Sequence, residues 1–320
     1  MNLFGTKFRI SLFGESHGPA VGVVIDGVRP GLTLSEADFE TDLARRRSGA
    51  TGTTPRQEAD LPEILSGVYE GHTTGAPLAL LFRNGNTRSG DYEAFKAMPR
   101  PGHADYVAGV KFGGFQDPRG GGHFSGRLTL PLVAAGVVAK KMLSCTAAAK
   151  VIAIGGAKDP SEWENLLNQA IVDGDSLGGI VECRVGGVPA GLGEPFFDSA
   201  ESLLSHLVFA IPGVRGVEFG DGFAAARLRG SEHNDAFGPS LLPLTNHAGG
   251  INGGITNGAE IVFRVAFKPT SSIRKPQETW NRAEDCPGTL VCAGRHDACI
   301  ALRGAVVVEA AAAIVLANLI

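Results

Sequence analysis

Short apolar runs alternate with glycine-rich polar stretches along this chain, and the spacing of the apolar positions changes with them. Residues 8–13 and 21–26 are rich in β-branched and aromatic side chains, as strands are. They flank the turn GESHG at 14–18. Gly27 and Pro30 close the second strand. Ser35, with Asp38 three residues on, marks a helix start, and that helix runs to Arg45-Arg46-Arg47. Residues 48–55 form a Gly/Thr-rich loop, and 64–69 and 77–82 predict two further strands. The segment 130–143 has a helical pattern. In the second half the pattern predicts strands at 151–154, 180–185, 214–219 and 260–267, and helices at 162–172, 200–209 and about 305–319. Strands fall in hairpin-like runs with helices grouped between them, which favours α+β over a strict βα alternation. TTGAPLALLF (73–82) and TNGAEIVFRVAF (256–267) are weakly alike and hint at an internal duplication. No linker interrupts the pattern, so residues 1–320 are expected to form one domain.

Composition narrows the picture. Hydrophobic content of 43% suits a globular protein with a substantial core. The 45 glycines are about twice the usual share and predict many special turns. Few aromatics and a net charge of −4 argue against nucleic-acid binding, although arginines can still be focused in one pocket. The five cysteines show no C-x-x-C spacing, so reduced thiols in a cytoplasmic protein fit best. Residues 1–30 lack a secretory pattern. The apolar stretch 304–320 contains Glu309 and falls short of the roughly 20 apolar residues of a membrane span, which predicts a buried C-terminal helix.

Residues 99–129 concentrate the candidate chemistry. They hold three arginines (Arg100, Arg119, Arg127), two histidines (His103, His123) and the run Gly120–Gly122. Arginine forks grip phosphate or carboxylate through paired hydrogen bonds, and glycines let backbone approach a ligand closely. The glycine run leads Ser125 and Arg127 to a helix start, where free N–H groups favour anions. A site for a multiply anionic small molecule follows. The motif at 14–18 matches the G-x-S-x-G of a hydrolase elbow, with Ser16 as nucleophile, but its surroundings read strand–turn–strand rather than strand–turn–helix. Residues 121–128 have Arg127 and Leu128 where a nucleotide-binding loop needs Lys and Ser/Thr. Further glycine-rich and hydroxyl-rich loops occur at 245–258 and 268–272, and Arg295-His296-Asp297 stands before the last helix.

Taken together, GESHG (14–18), RRR (45–47), RPGHADY (100–106), RGGGHFSGRLT (119–129), GVEFGDGF (216–223), NHAGGINGGITNG (246–258), KPTSSI (268–273) and GRHDACI (294–300) resemble the chorismate synthase family, in its order and over nearly the whole chain. The resemblance implies helices sandwiched between antiparallel sheets with an internal pseudo-repeat, and a homotetramer. It implies conversion of 5-enolpyruvylshikimate 3-phosphate to chorismate and phosphate by a 1,4-anti elimination, with reduced FMN required. The flavin reductant would be external, with NADPH among the family's associations, and neither nucleic acid nor membrane is an expected partner. By resemblance, Ser16, Arg46, Arg100, Arg127 and Arg295 would bind substrate. His17 would protonate the leaving phosphate, His103 would assist protonation of the reduced flavin, and Asp297 would take part in removing the substrate proton. Ser125, His206, Gly253, Lys268, Pro269, Thr270, Ser271, Ser272 and Arg295 would contact FMN, and no metal is implied. The chain departs from the family pattern at His123, Phe124, Leu128 and Ala298, and at Gly52, where a family arginine is replaced and Arg56 is the nearest substitute.

Overall fold

Two antiparallel sheets enclose a pair of long apolar helices. The computed structural model describes residues 2–54, 59–85, 94–292 and 296–320. The first half runs β1 (Leu3–Phe4), β2 (Arg9–Gly14), β3 (Ala20–Asp26), α1 (Glu40–Arg46), β4 (Glu63–Ser66), the small hairpin β5 (Val68–Tyr69) and β6 (His72–Thr73), β7 (Leu78–Arg83), α2 (Ala94–Ala97), α3 (Asp105–Lys111) and α4 (Thr129–Met142). The second half runs β8 (Thr146–Ile154), α5 (Pro160–Asp173), β9 (Gly179–Gly186), α6 (Ala200–Phe209), β10 (Val214–Phe219), α7 (Gly230–His233), the hairpin β11 (Ile251–Asn252) and β12 (Ile255–Thr256), β13 (Ile261–Phe267), the hairpin β14 (Gln277–Asn281) and β15 (Cys286–Leu290), and α8 (Ala301–Leu319). One sheet has the order β1-β2-β3-β7-β4 and the other β10-β13-β9-β8. The α+β expectation is met. The two weakly alike segments end in β7 and β13, which each lie between two neighbours in their sheet.

Helix α4 packs on the first sheet, α8 packs on the second, and the two helices pack on each other. Both are therefore apolar on nearly every face, as an element covered from all sides must be. Their contact is close. A Cβ on Gly136 of α4 would lie 2.3 Å from Cβ and 2.6 Å from Cα of Ala310 in α8. Helix α8 is 19 residues long and apolar enough to cross a membrane, but 83% of its most apolar window is buried inside the protein. Its length exceeds the sequence expectation because the helix starts at Ala301, four residues earlier.

Glu309 sits inside this layer, 3% exposed. Its carboxylate accepts 2.8 Å hydrogen bonds from both Nη atoms of Arg45, one of 2.9 Å from the Ala149 N–H, and another from Lys140. Burial alone would raise the Glu309 pKa, but the bonds from Arg45 and Lys140 hold it below its ordinary value. Stability from this group is complete above the pKa of a free glutamate and is lost as pH falls through the lowered folded value.

Strand β4 ends before Gly67, whose φ of +87°, at a place where a Cβ would lie 2.6 Å from the Leu78 Cα, interrupts the expected 64–69 strand. Helix α3 and the β14–β15 hairpin were not legible as elements, and both flank the candidate site. Gly136→Ala is expected to force α4 and α8 apart and to cost roughly 1–3 kcal/mol. A lowered urea midpoint with an unchanged m-value would register this, and an unchanged midpoint would refute the close contact.

Candidate active site

A cavity of about 680 Å³ opens where the loops of both halves meet. It is bounded by the β2–β3 turn, the end of α1, the loop before α3, the starts of α4 and α8, and the segment after β13. Among the described residues its wall carries seven Arg/Lys side chains (Arg46, Arg47, Arg100, Arg127, Arg215, Lys268 and Arg303) against two carboxylates, Asp60 and Asp297. The chain as a whole has a net charge of −4, so this excess of cations is local.

Asp60 holds the floor together. Its carboxylate pairs with Arg127 and lies 3.4 Å from Arg46 Nη1, and all three residues are buried. Asp60 has φ +50°, an uncommon conformation for a residue with a side chain and one that clusters at functional sites. Arg46 also donates to Thr129 Oγ1 at 2.9 Å and to Gly126 O at 3.0 Å. Burial, with Arg303 and Arg127 close by, pulls the Arg46 guanidinium down to about 9. Arg127 donates to Asn84 Oδ1 at 3.0 Å, and the Asn84 amide donates to Glu15 O and Gly18 O. Asn84 thus ties the GESHG turn to the arginine floor.

That turn joins two antiparallel strands, β2 and β3, so the hydrolase-elbow reading of Ser16 has no structural basis. Ser16 lines the cavity, and its N–H donates to Gly122 O at 3.1 Å. His17 is buried directly behind the wall, its ring packed on Gly120. A Cβ on Gly120 would meet His17 Cδ2 at 2.4 Å and Ser16 Oγ at 2.8 Å, and Gly120 has φ +60°. The glycine run is needed here because it lets the His17 ring close against backbone. Ser125 lines the cavity and caps the turn before α4 by accepting from the Arg127 N–H at 3.3 Å.

Across the cavity, Asp297 accepts from the Thr54 N–H at 2.7 Å and from Arg303 Nη1 at 3.1 Å. Arg303 Nε donates to Arg46 O at 2.8 Å, so α8 is fixed to the end of α1 at the cavity. The Asp297 carbonyl accepts from Thr270 Oγ1 at 2.7 Å. His296 lines the wall beside it, and burial followed by the charge of Arg100 lowers its pKa to about 4. It is neutral at physiological pH. Lys268, Thr270, Ser271 and Ser272 also line the cavity. Lys268 Nζ donates to Gly102 O and Ser271 Oγ, both at 2.5 Å. Burial lowers its pKa and the charge of Arg215 lowers it further.

His103 and Arg100 line the same cavity. Arg100 donates through Nε and Nη2 to Asp105, at 2.8 and 2.7 Å. His206 and Gly253 are not brought to the cavity. The His206 ring packs edge-on against Phe4, with centroids 5.4 Å apart, and Gly253 turns the β11–β12 hairpin with open space around it. Pro269 is flanked by lining residues without lining the cavity itself. Arg295 and Arg56 lie outside the described residues.

Where the chain departs from the family pattern, other roles appear. Gly52 sits at φ +86°, which disfavours a side chain, and a Cβ there would lie 2.7 Å from Leu167 Cδ2. Its carbonyl accepts from the N–H groups of Ala298 and Cys299 at 2.8 and 3.1 Å, anchoring the segment that carries Asp297. His123 Nδ1 donates to Gly14 O at 2.8 Å. Leu128 is in the core, and Phe124 lines the cavity. Sequence reasoning missed Asp60, Asn84, Asp105, Arg215 and Arg303. Only the pairing of Asp105 with Arg100 and His103, inside the RPGHADY motif, had a local signal.

Comparison with known proteins extends these observations. A family model described as chorismate synthase matches residues 8–320. A protein named chorismate synthase from Chitinophaga pinensis is 58% identical over 99% of this chain and 96% of its own length. Its counterpart from Aeropyrum pernix is 47% identical over 99% and 92%. A solved structure titled as the crystal structure of chorismate synthase superposes with a TM-score of 0.74 at 27% identity, covering 99% of this chain and 92% of that one.

Asp60→Ala should leave Arg46 and Arg127 unpaired in a buried setting, at a cost of about 3–5 kcal/mol in urea unfolding. Added inorganic phosphate should restore part of the loss by supplying the missing negative charge. A variant as stable as the parent would remove Asp60 from this role.

Proposed function

The chain belongs to the chorismate synthase family, and we propose that it converts 5-enolpyruvylshikimate 3-phosphate to chorismate and phosphate by a 1,4-anti elimination that requires reduced FMN. Membership of the family makes it a lyase of the shikimate pathway, and so of aromatic biosynthesis. The observation that carries the finer reading is the cavity wall, with seven cationic side chains against two carboxylates among the described residues. The substrate bears a phosphate and two carboxylates, and such a wall suits that charge.

The elimination breaks the bond from carbon to the phosphate oxygen and a C–H bond, forms a C=C bond, and releases phosphate and a proton. It has no net redox change. Phosphate leaves readily only when its charge is neutralised, which arginines and a proton can do. Arg46 and Arg127 are proposed to hold the anionic groups from the floor, with Arg295 and the Ser16 hydroxyl. His17, behind Ser16 and Gly120, is the proposed proton donor to the departing phosphate. Asp297, oriented by the Thr54 N–H and Arg303, is the proposed partner in accepting the substrate proton. Both α4 and α8 begin at the cavity, and their N-terminal dipoles add to the attraction for anions.

The residues fit FMN. Lys268 and Arg215 stand together on the wall, and after burial the charge of Arg215 shifts Lys268 further toward its neutral form. Thr270, Ser271 and Ser272 follow in the same wall, a donor set suited to a phosphate tail. Ser125 and His103 both lie beside Gly121, within 4 Å of where its Cβ would stand. Bound there, reduced flavin would lend electron density to the reacting allylic system and recover it. His103 is proposed to hold a proton toward that group. A cytoplasmic homotetramer fed by an external reductant completes the proposal, and His206 and Gly253 remain proposed FMN contacts only at the level of resemblance.

Purified protein should form chorismate from the enolpyruvyl substrate under anaerobic conditions with reduced FMN. FMN binding without product would instead mark a flavin-binding protein that kept the scaffold. His17→Ala and Asp297→Ala should each lower turnover by roughly 10²–10⁴-fold while FMN affinity, read by fluorescence, is retained. Normal turnover in either variant would remove that residue from the mechanism.

A further inference from the structure

Asp105 opens α3 and has no role in the chemistry set out above. Its carboxylate accepts from four donors. Oδ2 is 3.1 Å from Arg100 N and 2.8 Å from Arg100 Nε, while Oδ1 is 2.7 Å from Arg100 Nη2 and 2.6 Å from His103 Nδ1. Arg100 is buried, 5% exposed. Its guanidinium lies over the Phe95 ring at 4.4 Å, and its Nη1 donates to Ser272 Oγ at 3.0 Å. The Nε–Nη2 edge of Arg100, the edge that would grip a carboxylate or phosphate from a ligand, is thus already closed on Asp105.

The proton positions around Asp105 Oδ1 follow from the distances. Arg100 Nη2 also stands 3.0 Å from His103 Nδ1. If Nδ1 carried no proton, it could accept from Arg100, but its lone pair would then face a carboxylate oxygen at 2.6 Å. With the proton on Nδ1, both His103 and Arg100 donate to Oδ1, and the contact between Nη2 and Nδ1 is one between two donors that share this acceptor, a smaller cost than a lone pair facing the carboxylate. Neutral His103 therefore holds its proton on Nδ1. The bare Nε2 lies on the side of Gly121, where a Cβ would be 3.6 Å from it. Burial by itself would raise the Asp105 pKa, but hydrogen bonds from Arg100 and His103 hold it well below the usual carboxylate range, so the acceptor stays ionised.

We propose that Asp105 is a positioning residue for the elimination: it fixes His103 as the Nδ1–H tautomer, leaving Nε2 without a proton on the Gly121 side, and it holds Arg100 as a brace for that pair. The proposal rests on the function proposed above only for its consequence in turnover. Carboxylate–histidine pairs act this way elsewhere by fixing tautomer and ring orientation.

The test uses protein labelled with ¹⁵N-histidine, with the His103 signals identified by their loss in His103→Gln. In unaltered protein, at a pH where the ring is neutral, long-range ¹H–¹⁵N spectra should show a protonated Nδ1 and a bare Nε2. A protonated Nε2 there would overturn the proposal, whatever any variant does. In Asp105→Asn the amide must place its NH₂ against one set of donors, and His103 is the one donor that can become an acceptor. The spectrum should therefore shift to the Nε2–H tautomer, and turnover should fall on the order of 10²-fold with FMN affinity largely kept. An unchanged tautomer, or a changed tautomer with normal turnover, would overturn the positioning role. Should the unaltered protein form no chorismate, the function reading fails, and the spectra still decide whether Asp105 sets the tautomer.

Discussion

The contact between α4 and α8 governs the rest of the molecule. Gly136 against Ala310 brings two helices close enough for one sheet to cover each from outside, and this fixes where both helices begin. Because they begin at the same cavity, Arg127 and Thr129 at one start face Arg303 and Asp297 at the other. Thr129 and Arg303 sit on the helices themselves, Arg127 on the turn that enters α4 and Asp297 on the segment that leads into α8. Positioning on rigid elements is what a site of several charges needs, since small displacements weaken many interactions together.

The same packing creates an electrostatic difficulty. Arg46, Arg127 and Arg303 are close enough to repel, and Arg46 is almost wholly buried. Asp60 and Asp297 offset part of that repulsion, leaving an excess of positive charge for a ligand. Glu309 solves a similar problem deeper in the layer, where Arg45 and Lys140 converge on it. The two clusters differ in outcome. Glu309 is fully engaged by protein donors within the core, whereas the cavity cluster has fewer carboxylates than cations. The first is built for a fixed structure, the second for a partner that brings its own charge.

Much of the fold was legible in the sequence because its main elements follow strong local patterns. Strands β2, β3, β7 and β13 are rich in Val, Ile, Leu and Phe, and α4 and α8 are long apolar runs. Helix α3 was missed because seven residues containing a glycine offer too little periodicity. The β14–β15 hairpin was missed because QETWN and CPGTL show no alternation. The site was legible where one motif carries several functional residues, as in GESHG and RPGHADY. Asp60 was invisible because its meaning depends on Arg127, 67 positions away. Arg303 reads as one charge in an apolar helix until the fold brings it to Asp297 and the end of α1.

The departures from the family pattern follow the same logic of charge against shape. At Gly52 the positive φ disfavours a side chain, and the backbone there anchors the segment that carries Asp297. Leu128 fills the core, and His123 is tied by Nδ1 to the strand that leads into the GESHG turn. None of these changes removes a cation from the floor formed by Arg46 and Arg127. A polyanion senses the summed field of the wall, which tolerates the loss of one arginine while others remain. A proton transfer depends instead on which nitrogen of one ring carries the proton. On that ground the arrangement of His103, Asp105 and Arg100 constrains the chemistry more tightly than the number of arginines does, because no neighbouring charge can substitute for a tautomer.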